Sequence, residues 1–169
     1  MIIRRLEEND ETTTFDCGDA ALNNFLKRYA WINQEKISIG VTYVAVDEPA
    51  SRHIFGYFTL AAGGAPHDVF PAKFVRGLPR YDLPLILLAR LAVHQTHAGR
   101  GIGHALMSEV FRISLQLAEV VGCRWIIADA YRDRIGWYQK YGFLPVVGAS
   151  EKGPQRMFLD LRTLRKTPL

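Results

Sequence analysis

The stretch Leu91-Ala92-Val93-His94-Gln95-Thr96-His97-Ala98-Gly99-Arg100-Gly101-Ile102-Gly103-His104-Ala105-Leu106 decides how this chain is read. An apolar strand runs into a short turn, glycines follow at alternate positions 99, 101 and 103, and an amphipathic helix begins. Glycine lets a backbone turn left-handed and approach a ligand closely. The first turn of the following helix carries unpaired N–H groups and the positive end of the helix dipole. Together these features form a cradle for an anion, most often a phosphate. A P-loop needs Lys-Ser or Lys-Thr after its glycines, and neither pair stands here. The dinucleotide fingerprint Gly-x-Gly-x-x-Gly would place His104 or Leu106 where its last glycine belongs.

The strand feeding this turn, residues 85–93, is an apolar run broken only by Arg90, the pattern of a buried central strand. The helix leaving it puts Leu106, Val110, Ile113, Leu117 and Val120 on one face and Glu109, Arg112, Gln116 and Glu119 on the other, with Gly122 as its C-terminal cap. Residues 124–130 form the next strand, parallel to the last because a helix crosses between them. Upstream, residues 2–6 read as a first strand. Asp19 or Gly18 caps a helix that carries Leu22, Phe25, Leu26 and Tyr29 on one face and runs to about Gln34. Residues 41–46 and 54–60 form an antiparallel hairpin. Residues 63–84 are a long irregular stretch with Pro66, Pro71, Pro79 and Pro84 and a short helix at 72–75. Downstream, residues 133–141 form a short helix closed by Gly142, and 155–161 a final strand. The expectation is one mixed α/β domain spanning residues 1–169.

Composition narrows the class. The chain has 169 residues, of which 49% are hydrophobic and 22% charged, enough for a sizeable core and unlike a disordered chain. No apolar run reaches membrane-span length, and the N-terminus turns acidic before a signal-like segment forms. Cys17 and Cys123 have neither metal-ligand nor redox-motif spacing, which points to a reduced, cytoplasmic protein. A net charge of +4 favours an acidic ligand or nucleic acid.

Residues 98–103 resemble the pyrophosphate-binding motif Gln/Arg-x-x-Gly-x-Gly/Ala of the GCN5-related N-acetyltransferase (GNAT) superfamily, with Gly101 and Gly103 on its last fixed positions. Ala98 stands where the family usually has Gln or Arg. That removes one side chain from a cradle made mainly of backbone amides. Ile135-Gly136-Trp137-Tyr138-Gln139-Lys140-Tyr141-Gly142-Phe143 resembles the second signature of the family, an aromatic-Tyr pair followed by Gly-Phe. The resemblance implies the GNAT fold, a central twisted mixed sheet with helices on both faces. It also implies acetyl-CoA as cosubstrate, held by Leu91, Ala92, Val93, Ala98, Gly99, Arg100, Gly101, Ile102, Gly103 and His104, and no metal. Tyr138 takes the position of the general acid that protonates the departing thiolate, while Tyr141 packs. The backbone at 91–93 would polarise the thioester carbonyl.

No side chain stands out as a base. Arg90 cannot act as one, and His94, His97 and His104 read as loop or cap residues. An acceptor amine of low pKa needs none, and the α-amine of an aminoacyl ester is such an amine. Phe15-Asp16-Cys17-Gly18, Leu22-Asn23, Phe25-Leu26, Gly56-Tyr57-Phe58-Thr59-Leu60 and Leu87-Leu88-Ala89-Arg90-Leu91-Ala92-Val93 resemble, in order, segments of the acetyltransferase toxins of bacterial toxin–antitoxin pairs. This resemblance implies acetylation of aminoacyl-tRNA, arrest of translation, a ribbon-helix-helix antitoxin as partner and a homodimer. Lys73, Arg76, Arg80 and Arg90 are then acceptor-side residues. Phe70, Phe74 and Tyr81 would offer rings for stacking, and Lys152, Arg156, Arg162, Arg165 and Lys166 would extend the basic patch. Two other readings stay open: an acetyltransferase of the same fold acting on a small-molecule amine or a protein, and a non-catalytic coenzyme A-binding module.

Overall fold

The computed structural model describes residues 1–148 and 152–165, and Lys166 of the expected basic patch lies outside them. Seven strands form one sheet in the order β1-β2-β3-β4-β5-β7-β6. They are β1 Ile2–Arg5, β2 Val41–Val46, β3 Gly56–Ala65, β4 Leu83–Val93, β5 Trp125–Ala130, β6 Leu144–Pro145 and β7 Gln155–Asp160. The helices are α1 Ala20–Phe25, α2 Ala72–Val75, α3 Ile102–Val121, α4 Ile135–Gln139 and α5 Leu161–Leu164. Pairing is antiparallel between β1 and β2, β2 and β3, β5 and β7, and β6 and β7. The chain packs as two compact units, residues 1–61 with 88–112 and residues 62–87 with 113–169.

In the first unit, β2 and β3 are joined by matched cross-strand pairs. Buried Thr42 and Thr59 face each other, hydroxyl to hydroxyl at 2.8 Å, and the rings of Tyr43 and Phe58 stack at 5.0 Å. Leu6, Phe15, Leu26, Val44, Ile54 and Tyr57 form the core of this unit. Asp19 is the N-cap of α1, its carboxylate accepting from the amides of Ala21 and Leu22 at 2.8 and 3.0 Å. The helix does not stop near Gln34. It continues through two π-helical turns, Leu26–Ala30 and Asn33–Ile37, to Ser38 in the left-handed conformation (φ 57°). Leu26, Ala30 and Gln34, four residues apart, are its buried row. The Gln34 amide is wedged into the end of the β1–β2 ladder, donating to the Leu6 carbonyl at 3.0 Å and accepting from the Thr42 amide at 3.1 Å.

In the second unit, Phe70, Val75, Leu83, Leu85, Trp125 and Phe158 form the core. The irregular stretch is shorter than expected, residues 66–82, because β3 runs on to Ala65 and β4 begins at Leu83. Gly63 allows this: a Cβ there would lie 2.9 Å from the Leu85 side chain, so strand continuation depends on the missing methyl. The short helix within the stretch, α2, lies at 72–75 as the sequence predicts. The short helix downstream is smaller than expected, a 3₁₀ turn at Arg132–Arg134 followed by α4. The two-residue β6 and the short α5 carry too little periodicity to be legible in the sequence.

Along α3 the apolar stripe overruns its cover. Leu106 and Val110 are fully buried, but Leu117 is 38% and Val120 82% exposed, against the expectation that both pack. A 20-residue helix is about 30 Å long, and its last turns extend past the core. Gly122, at φ 72°, ends it. Among the described residues, no helix is long and apolar enough to cross a membrane.

Candidate active site

The glycine turn is built by the end of β4. His94 caps a 3₁₀ turn, Gln95–His97, its Nδ1 accepting from the Thr96 amide at 3.2 Å. Its ring meets Phe15 edge-on at 5.6 Å. The chain then passes through Ala98 to Gly99 and Gly101, which have φ of 76° and 81°, a region that side chains with a Cβ rarely adopt. α3 starts at Ile102, and the Ala105 amide donates to the Gly101 carbonyl at 3.1 Å. The amides of Gly101, Ile102 and Gly103 donate to no acceptor among the described residues. No acidic residue stands in the first turn of α3.

A Cβ placed at Gly99 or Gly101 would meet nothing within 4 Å, so the outer face of the turn is open. Three unsatisfied donors at the positive end of a long helix, beside open space, fit a pyrophosphate. The donor set is backbone, so Ala98 in place of a longer side chain leaves it intact. Leu91, Ala92 and Val93 end β4 with Ala92 buried, while Arg100 and His104 are exposed.

Gly56 at the start of β3 fixes the base of this turn. A Cβ there would lie 3.0 Å from both the Ala92 carbonyl oxygen and the Leu106 side chain, and 3.2 Å from Ile102. Only a hydrogen at that position lets the first turn of α3 lie against the strands. An isolated glycine inside a strand pattern is the sequence signal for such an approach.

Tyr138 lies on α4 in the other unit, 9% exposed, with Trp137 and Phe143 set edge-on to its ring at 5.1 and 5.4 Å. Its hydroxyl has no hydrogen-bond partner among the described residues. Burial, reinforced by the Asp129 carboxylate, pushes the phenol up to about 12. It is therefore protonated throughout the neutral range, the state a proton donor requires. Asp129, at the end of β5, was not singled out by the sequence reading. The Arg156 guanidinium clamps it from β7 through two bonds of 2.8 and 2.9 Å. A charge closing an otherwise apolar strand was the available signal.

The acceptor-side residues fare unevenly. Lys73, Arg76 and Arg80 are exposed, as expected of a polyanion grip. The stacking rings are not available as expected. Phe70 is buried, stacked on Trp125 at 4.7 Å, and Phe74 packs edge-on to Phe158 at 5.1 Å. Only Tyr81, 61% exposed, presents a free ring face. The C-terminal extension of the patch is largely engaged in ion pairs: Arg156 with Asp129, Arg162 with Asp160 at 3.0 Å, and Arg165 with Glu119 at 3.9 Å. Lys152 is exposed. Arg90 belongs to the first unit, its guanidinium 5.0 Å over the Phe25 ring. His94 and His97 act as packing and cap residues. His97 stacks on Phe55 at 4.4 Å, and its pKa is lowered by desolvation and by Arg100, His94 and His53. Among the described residues, no group of His, Cys, Asp and Glu is placed to hold a metal ion.

Residues 38–145 match the model of the acetyltransferase (GNAT) domain family. A tRNA-acetylating toxin of Mycobacterium tuberculosis is 30% identical over 130 residues, covering 77% of this chain and 75% of that protein. The solved structure of AtaT complexed with acetyl-methionyl-tRNAfMet superposes with a TM-score of 0.87 at 24% identity, covering 98% of this chain and 97% of that one. The structure of AtaTR bound with acetyl-CoA gives 0.82 at 25% identity, covering 98% and 96%.

Proposed function

Because this chain belongs to the GNAT acetyltransferase family, we propose that it is a toxin that transfers the acetyl group of acetyl-CoA to the α-amine of an aminoacyl-tRNA and so blocks translation. The observation that carries the cosubstrate half is the open glycine turn, with its unsatisfied amides at Gly101, Ile102 and Gly103. The acceptor half draws on the likeness to the mycobacterial tRNA-acetylating toxin.

Acetyl-CoA supplies the activated thioester and a thiolate leaving group. The chain supplies the rest. Residues 98–104 hold the pyrophosphate through backbone amides. The N–H groups of β4 at Leu91, Ala92 and Val93 orient the pantetheine arm and polarise the thioester carbonyl. Tyr138 holds the proton that the leaving sulfur takes up. The aminoacyl ester lowers the basicity of its own amine, so the acceptor arrives largely neutral and attacks without a dedicated base. Lys73, Arg76 and Arg80, with Tyr81, grip the phosphate backbone of the acceptor, and Arg90 lies on the acceptor side of β4. In this reading the whole chain acts as one domain, a cytoplasmic homodimer held in check by a ribbon-helix-helix antitoxin.

The test is incubation with acetyl-CoA and total charged tRNA, followed by mass spectrometry of the aminoacyl adducts. N-acetyl-aminoacyl products on one or a few tRNAs are the expected result. Ready acetylation of a polyamine or peptide, with no modified charged tRNA, would overturn the acceptor assignment and leave the acetyltransferase standing.

A further inference from the structure

We propose that Asp16 is a positioning residue for cosubstrate binding: its carboxylate latches the turn that precedes the pyrophosphate-binding glycines. The inference rests on the reading of residues 98–104 as the acetyl-CoA cradle.

The latch has two parts that act at the same place. The Gln95 amide donates to the Asp16 carbonyl at 2.8 Å, and the Gln95 side-chain Nε2 donates to Asp16 Oδ2 at 2.7 Å. A main-chain tie and a side-chain tie at one residue fix both its position and its orientation. Gln95 opens the 3₁₀ turn, and its carbonyl accepts from the Ala98 amide at 3.2 Å. The next residues are Gly99 to Gly103, whose left-handed conformations have no other side-chain support. Whatever holds Gln95 therefore sets the angle at which the glycine amides face their ligand.

Asp16 is itself held on its second oxygen. Oδ1 accepts from the Gly18 amide and from Asn23 Nδ2, each at 2.8 Å. Asn23 Oδ1 accepts in turn from the Cys17 amide at 2.9 Å. The carboxylate is thus a junction between the start of α1 and the cradle, with each oxygen assigned to one side. Those donors hold its carboxyl below the usual carboxylate range, so the junction stays ionised at working pH. Phe15, the preceding residue, is buried edge-on against His94 and Tyr57, which anchors the segment from the core side. Asp16 touches neither the pyrophosphate nor the reacting atoms, and its role is exerted through Gln95.

The chemistry of the latch distinguishes its variants. Asp16→Ala and Gln95→Leu each delete the side-chain tie. Asp16→Asn keeps Oδ1 for Gly18 and Asn23. Its new Nδ2 donates to Gln95 Oε1 once the Gln95 amide turns over, so the tie survives. A charge-assisted hydrogen bond of this kind is worth up to about tenfold in an equilibrium. The measurements are calorimetric acetyl-CoA affinity, KM against kcat with charged tRNA, and amide hydrogen exchange across residues 96–103 in unliganded protein.

The expected result has several parts. Asp16→Ala and Gln95→Leu weaken acetyl-CoA binding and raise its KM by about five- to tenfold at nearly constant kcat. Both speed exchange across the turn, and the double variant is no worse than either alone. Asp16→Asn behaves like the wild type, while Asp16→Asn with Gln95→Leu does not. Unchanged affinity and exchange in folded Asp16→Ala overturn the proposal, as does a fall in kcat with KM constant or failure of Asp16→Asn to preserve binding. Lack of acetyl-CoA binding by the wild type overturns the cradle itself. In that case the exchange data still report whether Asp16 orders the turn.

Discussion

Replacing Tyr138 by Phe removes one oxygen and leaves the packing untouched. The ring keeps its edge-on partners Trp137 and Phe143, and the hydroxyl has no protein partner to lose. Unfolding free energy should therefore move by less than about 0.5 kcal/mol, the range of substitutions that break no named interaction. The catalytic effect should be far larger. A phenol at about 12 facing an ordinary thiol near ~8.5 is mismatched by about 3.5 units, or about 5 kcal/mol, if the thiolate were free in water. The burial and the Asp129 carboxylate that raise the phenol would also raise a thiolate placed beside it, which narrows the gap. General acids contribute about 10²- to 10⁴-fold, so kcat in Tyr138→Phe should fall at least about 10²-fold, about 2.7 kcal/mol of barrier. Acetyl-CoA affinity should hardly change. The assay is steady-state acetyl transfer to charged tRNA, with calorimetry as control. The wild type should show no descending alkaline limb from this group below pH about 10, since the phenol stays protonated there. Wild-type turnover in the Phe variant, or an alkaline limb near pH 8 that the variant abolishes, would refute the reasoning.

Three further outcomes are expected. Gly101→Val, at φ 81° with space for a side chain, should fold yet reorient the amides, cutting acetyl-CoA affinity by more than about tenfold in calorimetry. Triple replacement of Lys73, Arg76 and Arg80 by Ala should weaken tRNA acetylation and flatten its salt dependence, by a slope of up to about 0.9 per lost phosphate contact, with acetyl-CoA binding unaltered. His97 has a folded pKa below its unfolded value of about 6.5. The unfolded chain therefore takes up the proton first, and stability present above about pH 6.5 is lost as the pH falls through the lowered value. Urea titrations at pH 7.5 and 5.5 should show a smaller loss for His97→Gln than for the wild type.

The parts of this molecule that were legible in the sequence are those whose cause is local. The left-handed glycines, the Asp19 cap and the apolar strand at 85–93 each state their conformation within a few residues. Tyr138 was found through a short pattern on one small helix. What escaped depends on segments brought together by folding. Phe70 and Phe74 lie among basic residues in sequence, but Trp125 and Phe158 claim their rings. Leu117 and Val120 keep the helical period of Leu106 and Val110, yet periodicity does not say where the core ends. Asp129 gains its significance from Arg156 and Tyr138, 27 and nine positions away along the chain. Gly56 was noticed only as part of a resemblance, and its reason is a carbonyl 36 residues downstream.

The Gln34 wedge at the end of the β1–β2 ladder has a consequence for how this chain tolerates insertions and deletions. A helix advances about 100° per residue, and each π turn accommodates a residue more than an α turn would. Deleting one residue between 26 and 30 would relax that segment towards α geometry and rotate everything after it. Gln34 would then swing off the Leu6 carbonyl and the Thr42 amide, and a neighbouring side chain, isoleucine or a charged residue, would enter the gap. The helix is in effect a phase-locked ruler, with Asp19 as its zero mark and Gln34 as its stop. Length changes here should survive only in compensated form, a residue lost in the π turn and one gained before it, whereas the open turn at residues 47–51 between β2 and β3 should accept insertions one at a time.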